Sequence, residues 1–349
     1  MWKIRAVRFQ TDQTSLVDTD ENDVNAENVR KSKKASKTLA EIYNRKVSVA
    51  RNAILSIVDV DDNSSKTVLF KNKIDVLAMS KNVIIVGDSK MVLHFTTYEG
   101  RTIHSQPLPP SQGPFVDVYM HEDCLFVLTA SGKCYVFTNL DLNPLIENET
   151  ENAIKTLKSK MRTRVLNVGA NCRLIAEERN IGILSASSFN IWNSEKLRFD
   201  AMSDFPEKSV EAAKWCSSED ILALRDARTA KSSLFFLDIN AGRESKEEWV
   251  LPYLHQFAIL ERNAESVRVV VVRCEPEGAV AEIRDLSKGN SKVVFKLQTK
   301  PRHDCTLLPS EGQTFFVIPP SIMDKNVFFR CDSVMKMRTK TESSCPITE

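Results

Sequence analysis

Short runs of apolar residues recur along the chain, and each run is bounded by polar turns. The clearest of these runs occupy residues 82–86, 124–128, 267–272 and 315–318. Runs of four to six β-branched or aromatic residues between polar turns predict β-strands rather than helices. Each run is followed, after a turn, by a second apolar run with an aromatic or aliphatic marker residue near its end. The pattern therefore predicts strand pairs that repeat along the chain.

The marker residues recur at a mean spacing of about 45 residues, which indicates a repeated structural unit. The markers are Val58, Phe95, Phe137, Trp192, Leu237, Ile283 and Phe329. A period of this length with several strands per repeat is typical of a β-propeller, in which each repeat forms a small antiparallel sheet around a central axis. The seven markers predict an all-β fold, a seven-bladed β-propeller.

Further strand candidates bring each blade to four strands. Inner strands are predicted at 74–79, 115–120, 173–176, 212–215, 256–260 and 305–308, and outer strands at 67–70, 102–105, 196–199, 248–251 and 292–297. No strong outer strand follows Phe329, whereas residues 2–9 form a spare strand at the other end of the chain. We expect this N-terminal strand to complete the seventh blade and close the ring, because closure removes an open sheet edge.

Two segments interrupt the repeat. Residues 143–162 have apolar side chains at helical spacing, with acidic residues first and basic residues last, and predict a helical insertion within a blade. Residues 10–37 are acidic in their first half and basic in their second, and predict a mobile charged loop. We therefore predict a propeller over residues 1–331, followed by a polar C-terminal tail at 332–349.

The predicted blades resemble Trp-Asp (WD) repeats in degenerate form. Trp192 and Asn193, and the segments 237–239 and 283–286, lie near the usual place of the Trp-Asp dipeptide, but no Trp-Asp or Gly-His pair occurs in the chain. We expect the aromatic markers to pack between adjacent blades, because buried aromatic side chains contribute strongly to core stability. The low count of 10 glycines fits repeats that have lost these signatures.

Composition narrows the classes of partner and compartment. Forty-eight Lys and Arg residues against 46 Asp and Glu leave a net charge of +2, which favours neither nucleic acid nor an anionic membrane as a direct partner. No stretch approaches the roughly 18 apolar residues of a membrane span, and the N-terminus lacks the apolar core of a signal peptide. The eight cysteines form no Cys-x-x-Cys pair, which favours reduced thiols in a cytoplasmic protein.

No local motif predicts catalysis or a cofactor. The five histidines have no catalytic or metal-binding spacing, and the sequence contains no phosphate-binding loop or nucleophile elbow. We therefore expect a non-enzymatic protein without a cofactor or metal. An active site assembled on the propeller axis from distant loops remains the alternative, because a site of that kind leaves no local motif.

Two segments combine apolar and charged residues in a way that suits contacts with a partner protein. The first connects two strands of the second blade, and the second is the insertion helix, whose apolar stripe packs either on the propeller's own rim or in a partner's groove. The candidate contact residues are Tyr98, Arg101, Ile103 and His104 in the first segment, and Ile154, Leu157, Lys158 and Met161 in the second.

A family resemblance rests chiefly on residues 124–140. There a strand leads through a Thr-Ala-Ser-Gly turn into a second strand, which ends in Thr-Asn-Leu and runs into the insertion helix. Further matches are the opening Met1 and Trp2, the strand pair 83–88 and 93–95, and the later pair 222–224 and 237–239. With these features the chain resembles the N-terminal β-propeller of the Rough deal (ROD) family of kinetochore proteins, over blades two to six.

The resemblance implies a non-enzymatic scaffold of the mitotic kinetochore that binds a Zwilch-like protein. It also implies that the wider complex, with a Zeste-white-ten-type protein, recruits dynein through Spindly and sustains the spindle assembly checkpoint. The expected location is the cytoplasm, with kinetochores and spindle in mitosis. The sequence departs from the family where its long α-solenoid is expected, so a fragment, a truncated isoform and a shortened relative all stay open. The alternative function is a propeller of a vesicle-tethering complex in ER–Golgi traffic, because such propellers share the architecture.

Overall fold

The protein is built almost entirely from β-strands. The computed structural model describes residues 2–8, 38–61, 64–147, 151–177, 180–185, 188–204, 210–217, 220–238, 241, 243–262, 266–275, 278–287, 290–298, 306–310, 314–318 and 327–333. Within these residues the strands form seven antiparallel sheets of four strands each. We call the sheets blades 1 to 7 in chain order, with the N-terminal strand β1 (Trp2–Arg8) belonging to blade 7.

Blades 1 to 3 are meanders in which consecutive strands pair. Blade 1 contains β2 (Thr38–Tyr43), β3 (Lys46–Arg51), β4 (Ile54–Asp59) and β5 (Ser65–Leu69). Blade 2 contains β6 (Ile74–Met79), β7 (Ile84–Asp88), β8 (Val92–Thr96) and β9 (Thr102–Pro107). Blade 3 contains β10 (Phe115–His121), β11 (Cys124–Thr129), β12 (Lys133–Thr138) and β13 (Arg162–Asn167).

Blades 4 to 6 repeat the same meander. Blade 4 contains β14 (Arg173–Glu177), β15 (Asn180–Leu184), β16 (Ser188–Asn193) and β17 (Arg198–Asp204). Blade 5 contains β18 (Val210–Trp215), β19 (Asp220–Arg225), β20 (Ser233–Asp238) and β21 (Arg243–Val250). Blade 6 contains β22 (Leu254–Arg262), β23 (Ser266–Glu275), β24 (Gly278–Ser287) and β25 (Asn290–Gln298).

Blade 7 joins the two ends of the described chain. Its strands are β26 (Thr306–Ser310), β27 (Thr314–Ile318), β28 (Val327–Ser333) and, at the outer edge, β1. Strand β1 pairs antiparallel with β28, with Trp2 opposite Ser333 and Arg8 opposite Val327. The N-terminal strand therefore supplies the outer strand of this blade, as predicted from residues 2–9.

The innermost strands of successive blades lie against one another around a closed circuit. Strand β2 contacts β6, β6 contacts β10, and the sequence continues through β14, β18, β22 and β26 back to β2. Sheets that radiate from a central axis in this way form a β-propeller. The predicted all-β propeller fold is confirmed.

The apolar core is divided among the interfaces between blades. Leu55 of blade 1 and Val86 of blade 2 belong to one buried cluster, and Phe126 of blade 3 shares another with Ile183 of blade 4. The Phe189 ring of blade 4 meets the Trp215 ring of blade 5 edge to face, at 5.6 Å between centroids. Aromatic side chains between blades stabilise the ring by burial and by their ring geometry.

The helical insertion consists of two helices, α1 (Asn143–Glu147) and α2 (Glu151–Lys160), which lie between β12 and β13. The six predicted inner strands agree with the observed strands to within two residues at each end. No residue range was predicted for four of the described strands, namely β2, β3, β13 and β15. The predicted loop at 10–37 lies outside the described residues, as does the predicted tail beyond Ser333.

Candidate functional site

The helical insertion begins with a polar turn after β12. The Asp141 carboxylate accepts a 3.1 Å hydrogen bond from the backbone N–H of Asn143, and the Leu142 carbonyl accepts 3.1 Å hydrogen bonds from the N–H groups of Leu145 and Ile146. An aspartate that hydrogen-bonds the backbone two residues further on favours such a turn. The sequence therefore starts α1 immediately beside blade 3.

The insertion belongs to blade 3 in the chain but packs against blade 2. Leu145 and Leu157 are buried in one apolar cluster with Phe95 and Ile103, which lie on β8 and β9. Leu157 is 3% exposed and Ile103 is 2% exposed. Burying apolar side chains of this size stabilises the contact by about 1.5–3 kcal/mol for each side chain. The two helices therefore act as a strap between neighbouring blades.

Hydrogen bonds also hold the two helices of the strap to blade 2. Arg101 Nη2, in the turn between β8 and β9, donates a 3.0 Å hydrogen bond to the carbonyl oxygen of Ile146. Asn82 Nδ2 donates a 2.7 Å hydrogen bond to Asn143 Oδ1. Carbonyl groups at a helix end lack partners within the helix, so the guanidinium satisfies a group that would otherwise depend on water. Both ends of α1 are thus attached to blade 2.

The structure brings the two predicted sets of contact residues together. Ile103 and Leu157 share the buried cluster, Ile154 and Met161 pack against it, and the charge of Lys158 acts on His104. Ile103, His104 and Leu157 are buried where the two segments cover each other, which fits packing on the propeller's own rim, and their contact with a partner stays a prediction. Arg101 and Lys158 are exposed, and contact between these two residues and a partner stays a prediction.

His104 is a neutral component of this packing. Burial lowers the pKa of His104, and the nearby positive charge of Lys158 lowers it further, while a hydrogen bond with Gln106 acts in the opposite direction. Its ring stacks on Phe95 with 5.7 Å between centroids. A buried histidine whose pKa is depressed stays uncharged at neutral pH. His104 therefore contributes packing rather than charge to the rim.

Tyr98 also packs on its own propeller. Its hydroxyl donates a hydrogen bond to the carbonyl oxygen of Ser80, and its half-buried ring lies 5.5 Å from Lys46 Nζ. Burial raises the pKa of Tyr98, and the nearby Tyr43 adds to the shift. The hydroxyl therefore stays protonated, which suits its role as a hydrogen-bond donor within blade 2, while the contact of its ring with Lys46 reaches blade 1.

A basic surface beside the insertion was missed by the reasoning from sequence. Lys160 is the last residue of α2, and Arg162 and Arg164 follow on β13. All three side chains are exposed. Residues 152–176 contain six basic residues and no acidic residue, a local bias that the overall charge of +2 conceals. A charge count in windows along the chain is the signal that would have found this surface.

The centre of the ring contains a cavity of about 1430 Å³. It is lined by the ends of the inner strands of blades 1 to 6 and by turns beside them, and Glu41, Tyr119, His121, Lys214 and Trp215 are among its lining residues. A cavity of this size exceeds that of many small-molecule sites. It is the place where an axial active site would lie.

Glu41 is a carboxylate of this cavity whose pKa is strongly shifted. Burial within the ring raises the pKa of Glu41 to about 7, Asp117 raises it as well, and Lys214 acts in the opposite direction. Asp117 is already engaged, because one carboxylate oxygen accepts a 3.0 Å hydrogen bond from the backbone N–H of Leu174. Perturbed carboxylates occur at functional sites and in structural networks alike, so the shift alone does not define a reaction.

Potential metal ligands do not cluster in the part of the chain that the structure describes. Its His, Cys, Asp and Glu residues form no group of three or more that could hold a metal ion. Cys124 and Cys134 are free thiols, and burial raises the pKa of Cys124 to about 11 and that of Cys134 to about 12. Such thiols stay protonated at neutral pH and are poor nucleophiles.

Comparison with known proteins supports the propeller fold. No protein-family model matches the chain, and no curated protein matches it significantly. A structure of the mitotic checkpoint complex is similar at 12% identity and a TM-score of 0.61, covering 84% of this chain and 90% of the other. The WD40 β-propeller domain of Doa1 is similar at 9% identity and a TM-score of 0.55, covering 86% and 96%.

A third similar structure is BamB from Moraxella catarrhalis, at 10% identity and a TM-score of 0.51, covering 84% of this chain and 82% of the other. Identities this low support the fold alone. The protein is therefore a β-propeller with the architecture of WD40 domains. Among its described residues, neither helix is long and apolar enough to cross a membrane.

Proposed function

We propose that this chain is a non-enzymatic protein-interaction scaffold built on a seven-bladed propeller. The observation that supports this most directly is the strap formed by α1 and α2. It buries Leu145 and Leu157 against blade 2 and leaves Arg101 and Lys158 at the surface. A rigid ring with a charged, fixed rim offers separate surfaces to several proteins at once, and such surfaces need no catalytic motif.

We further propose that the scaffold serves the mitotic kinetochore. The resemblance of blades 2 to 6 to the ROD family supports this role, and a structure of the mitotic checkpoint complex has a similar fold. In this role the chain binds a Zwilch-like protein and, through a wider complex with a Zeste-white-ten-type protein, helps to recruit Spindly and dynein and to sustain the spindle assembly checkpoint. It resides in the cytoplasm and gathers at kinetochores and the spindle in mitosis.

The test is an affinity purification of the tagged full chain from mitotic cells, followed by mass spectrometry and by microscopy of the tagged protein. We expect a Zwilch-like and a Zeste-white-ten-type protein to co-purify, and we expect the tagged chain at unattached kinetochores. Recovery of vesicle-tethering proteins, with the tagged chain on vesicle membranes throughout interphase, would contradict the kinetochore role and favour the tethering alternative.

A pair of charge variants identifies the face that binds. Lys158→Glu reverses an exposed charge on the strap, and Lys66→Glu makes the same change on β5 of blade 1, where Lys66 is also exposed. We expect Lys158→Glu to reduce recovery of the Zwilch-like protein at least fivefold and Lys66→Glu to leave it unchanged. Equal recovery with both variants would place the contact elsewhere. Circular dichroism of both variants verifies that the fold is retained.

A further inference from the structure

Strand β13 is an unusually exposed outer strand. Arg162, Thr163, Arg164 and Val165 are all exposed, so neither face of the strand is covered over these four residues. The outer strands β5 and β9, by contrast, each bury two residues against the neighbouring structure. Blade 3 therefore has an outer strand whose side chains are mostly exposed on both faces.

The far edge of β13 is also open. Strand β13 is the last strand in the order of its sheet and pairs with β12 on one side only, with Arg164 opposite Val136 and Val165 opposite Tyr135. In the part of the chain that the structure describes, no strand pairs with its other side. Backbone N–H and C=O groups along such an edge are available for hydrogen bonds to another extended segment.

The charge on this edge has a single sign. Lys160, Arg162 and Arg164, here called the basic edge, form no ion pair with any side chain that the structure describes, and Arg164 Nη1 donates only a 3.4 Å hydrogen bond to the carbonyl oxygen of Lys196. Charges on edge strands protect against edge-to-edge aggregation. Three like charges would also repel a second copy of this strand, so they select for a partner of opposite charge.

The two faces of β13 carry different side chains, and this difference predicts the sequence pattern of a strand that could pair with it. Arg162 and Arg164 lie on one face because side chains alternate along a strand, and Val165, 48% exposed, lies on the other. Alternate residues on one face are about 7 Å apart. An added strand with acidic residues at alternate positions and apolar residues between them would pair with the arginines and cover Val165.

We propose that β13 is a docking edge for an extended acidic segment of a partner protein, which adds to blade 3 as a fifth strand. Backbone hydrogen bonds along the edge would supply affinity, and the basic edge would supply specificity for alternating acidic residues. The inference deepens the scaffold function proposed above and depends on it for its biological role.

The test is fluorescence anisotropy with the purified full chain and a labelled peptide that alternates glutamate with valine. We expect binding that weakens at least tenfold when Lys160→Glu, Arg162→Glu and Arg164→Glu are combined. The matched control combines Lys66→Glu, Lys71→Glu and Lys90→Glu, three exposed lysines on blades 1 and 2, and should leave affinity unchanged. A peptide with proline at its central positions should bind at least fivefold more weakly, because it cannot donate the backbone hydrogen bonds.

Several outcomes would overturn the inference. They are absence of binding by the parent chain, equal affinity in the two triple variants, equal affinity for the proline peptide, and preference for a single-stranded RNA or an anionic vesicle over the acidic peptide. Hydrogen exchange on the unmodified chain gives a second test that requires no variant, since the peptide should protect the amides of β13. The peptide assay uses no kinetochore protein, so its failure and a failure of the mitotic purification are distinguishable.

Discussion

The backbones of Gly132 and Gly169 are in direct contact. A Cβ atom added to Gly132 would lie 2.3 Å from the carbonyl carbon of Gly169, and the N–H of the adjacent Val168 donates a 2.8 Å hydrogen bond to the Gly132 carbonyl. Gly132 ends the Thr-Ala-Ser-Gly turn between β11 and β12, and Gly169 follows β13. The contact therefore locks the turn of the central hairpin to the loop that leaves blade 3.

Gly132→Ala should destabilise the propeller markedly. The φ of Gly132 is +78°, a region that costs an alanine about 1–2 kcal/mol, and the clash with the Gly169 backbone adds to that cost. We expect a total loss of about 3 kcal/mol or more in the free energy of unfolding, measured by urea denaturation.

Gly113→Ala is the matched control, because Gly113 has a φ of +74° and its added Cβ would come no nearer than 3.6 Å to another heavy atom. We expect the control to lose only the backbone term, about 1–3 kcal/mol, because Gly113 combines this φ with a ψ of −179°. Equal losses in the two variants would show that the contact between the glycines does not constrain the turn.

Leu157→Ala should release the helical strap. Leu157 is buried against blade 2, and removing a buried leucine side chain costs about 2–5 kcal/mol where the site cannot collapse. We expect faster hydrogen exchange at α2 and at α1, because the two helices share one apolar contact with the rim. Thr156→Ala, at an exposed position of the same helix, should leave exchange unchanged. Unaltered exchange in Leu157→Ala would mean that the strap is held by its polar contacts alone.

The propeller was predictable because its central strands are buried along nearly their whole length. The central strands read as continuous β-branched runs, and each blade repeats the pattern at nearly constant spacing. Strand β13 escaped prediction because Arg162, Thr163 and Arg164 are exposed, so the strand lacks the apolar run that marks the central strands. The same exposure makes it a candidate docking edge.

The candidate site was only partly predictable, for a different reason. Sequence patterns identified both Ile103 and Leu157 as apolar residues of interest, but nothing local indicates that a helix inserted in blade 3 packs on blade 2. That contact depends on the position of neighbouring blades, which emerges only when the ring has formed. Ile103 and Leu157, which belong to two separate candidate segments of the sequence, therefore lie in one buried cluster.

Asp88→Ala should be among the more damaging single substitutions in blade 2. Asp88 is 2% exposed, and its carboxylate accepts hydrogen bonds from Asn72 Nδ2 at 2.8 Å and from the backbone N–H groups of Lys90 and Val92 at 2.9 and 3.0 Å. We expect a loss of about 2–4 kcal/mol at pH 7, because buried donors lose a charged acceptor. Asp123→Ala, at an exposed position, should cost less than about 0.5 kcal/mol.

The contribution of Asp88 should also depend on pH. Burial raises the pKa of Asp88, but hydrogen bonds from Asn72, Val92, His94 and Lys90 outweigh burial and hold it below its ordinary value of 3.8. A depressed carboxylate pKa contributes stability above the ordinary value, and that stability is lost as the pH falls through the folded pKa. The difference in thermal midpoint between the parent and Asp88→Asn should therefore narrow below about pH 4. A constant difference down to pH 2.5 would contradict the assignment.

Glu41 should make stability depend on pH in the sense opposite to Asp88, and Glu41→Gln should remove that dependence. Burial raises the pKa of Glu41 from 4.5 to about 7, so between these values the folded state holds a proton that the unfolded state releases. Stability should therefore fall as the pH rises from 4.5 to 7 and level off above pH 7. Because this side chain lines the cavity and is accessible to solvent there, we expect a loss of only about 1 kcal/mol. Glu41→Gln should remove that loss and be the more stable form at pH 8, by urea denaturation. The control Glu195→Gln, at an exposed position, should retain the pH dependence of stability of the parent. Parallel curves of stability against pH for the parent and Glu41→Gln would contradict the prediction, because they would show that Glu41 has the same pKa in the folded and unfolded states.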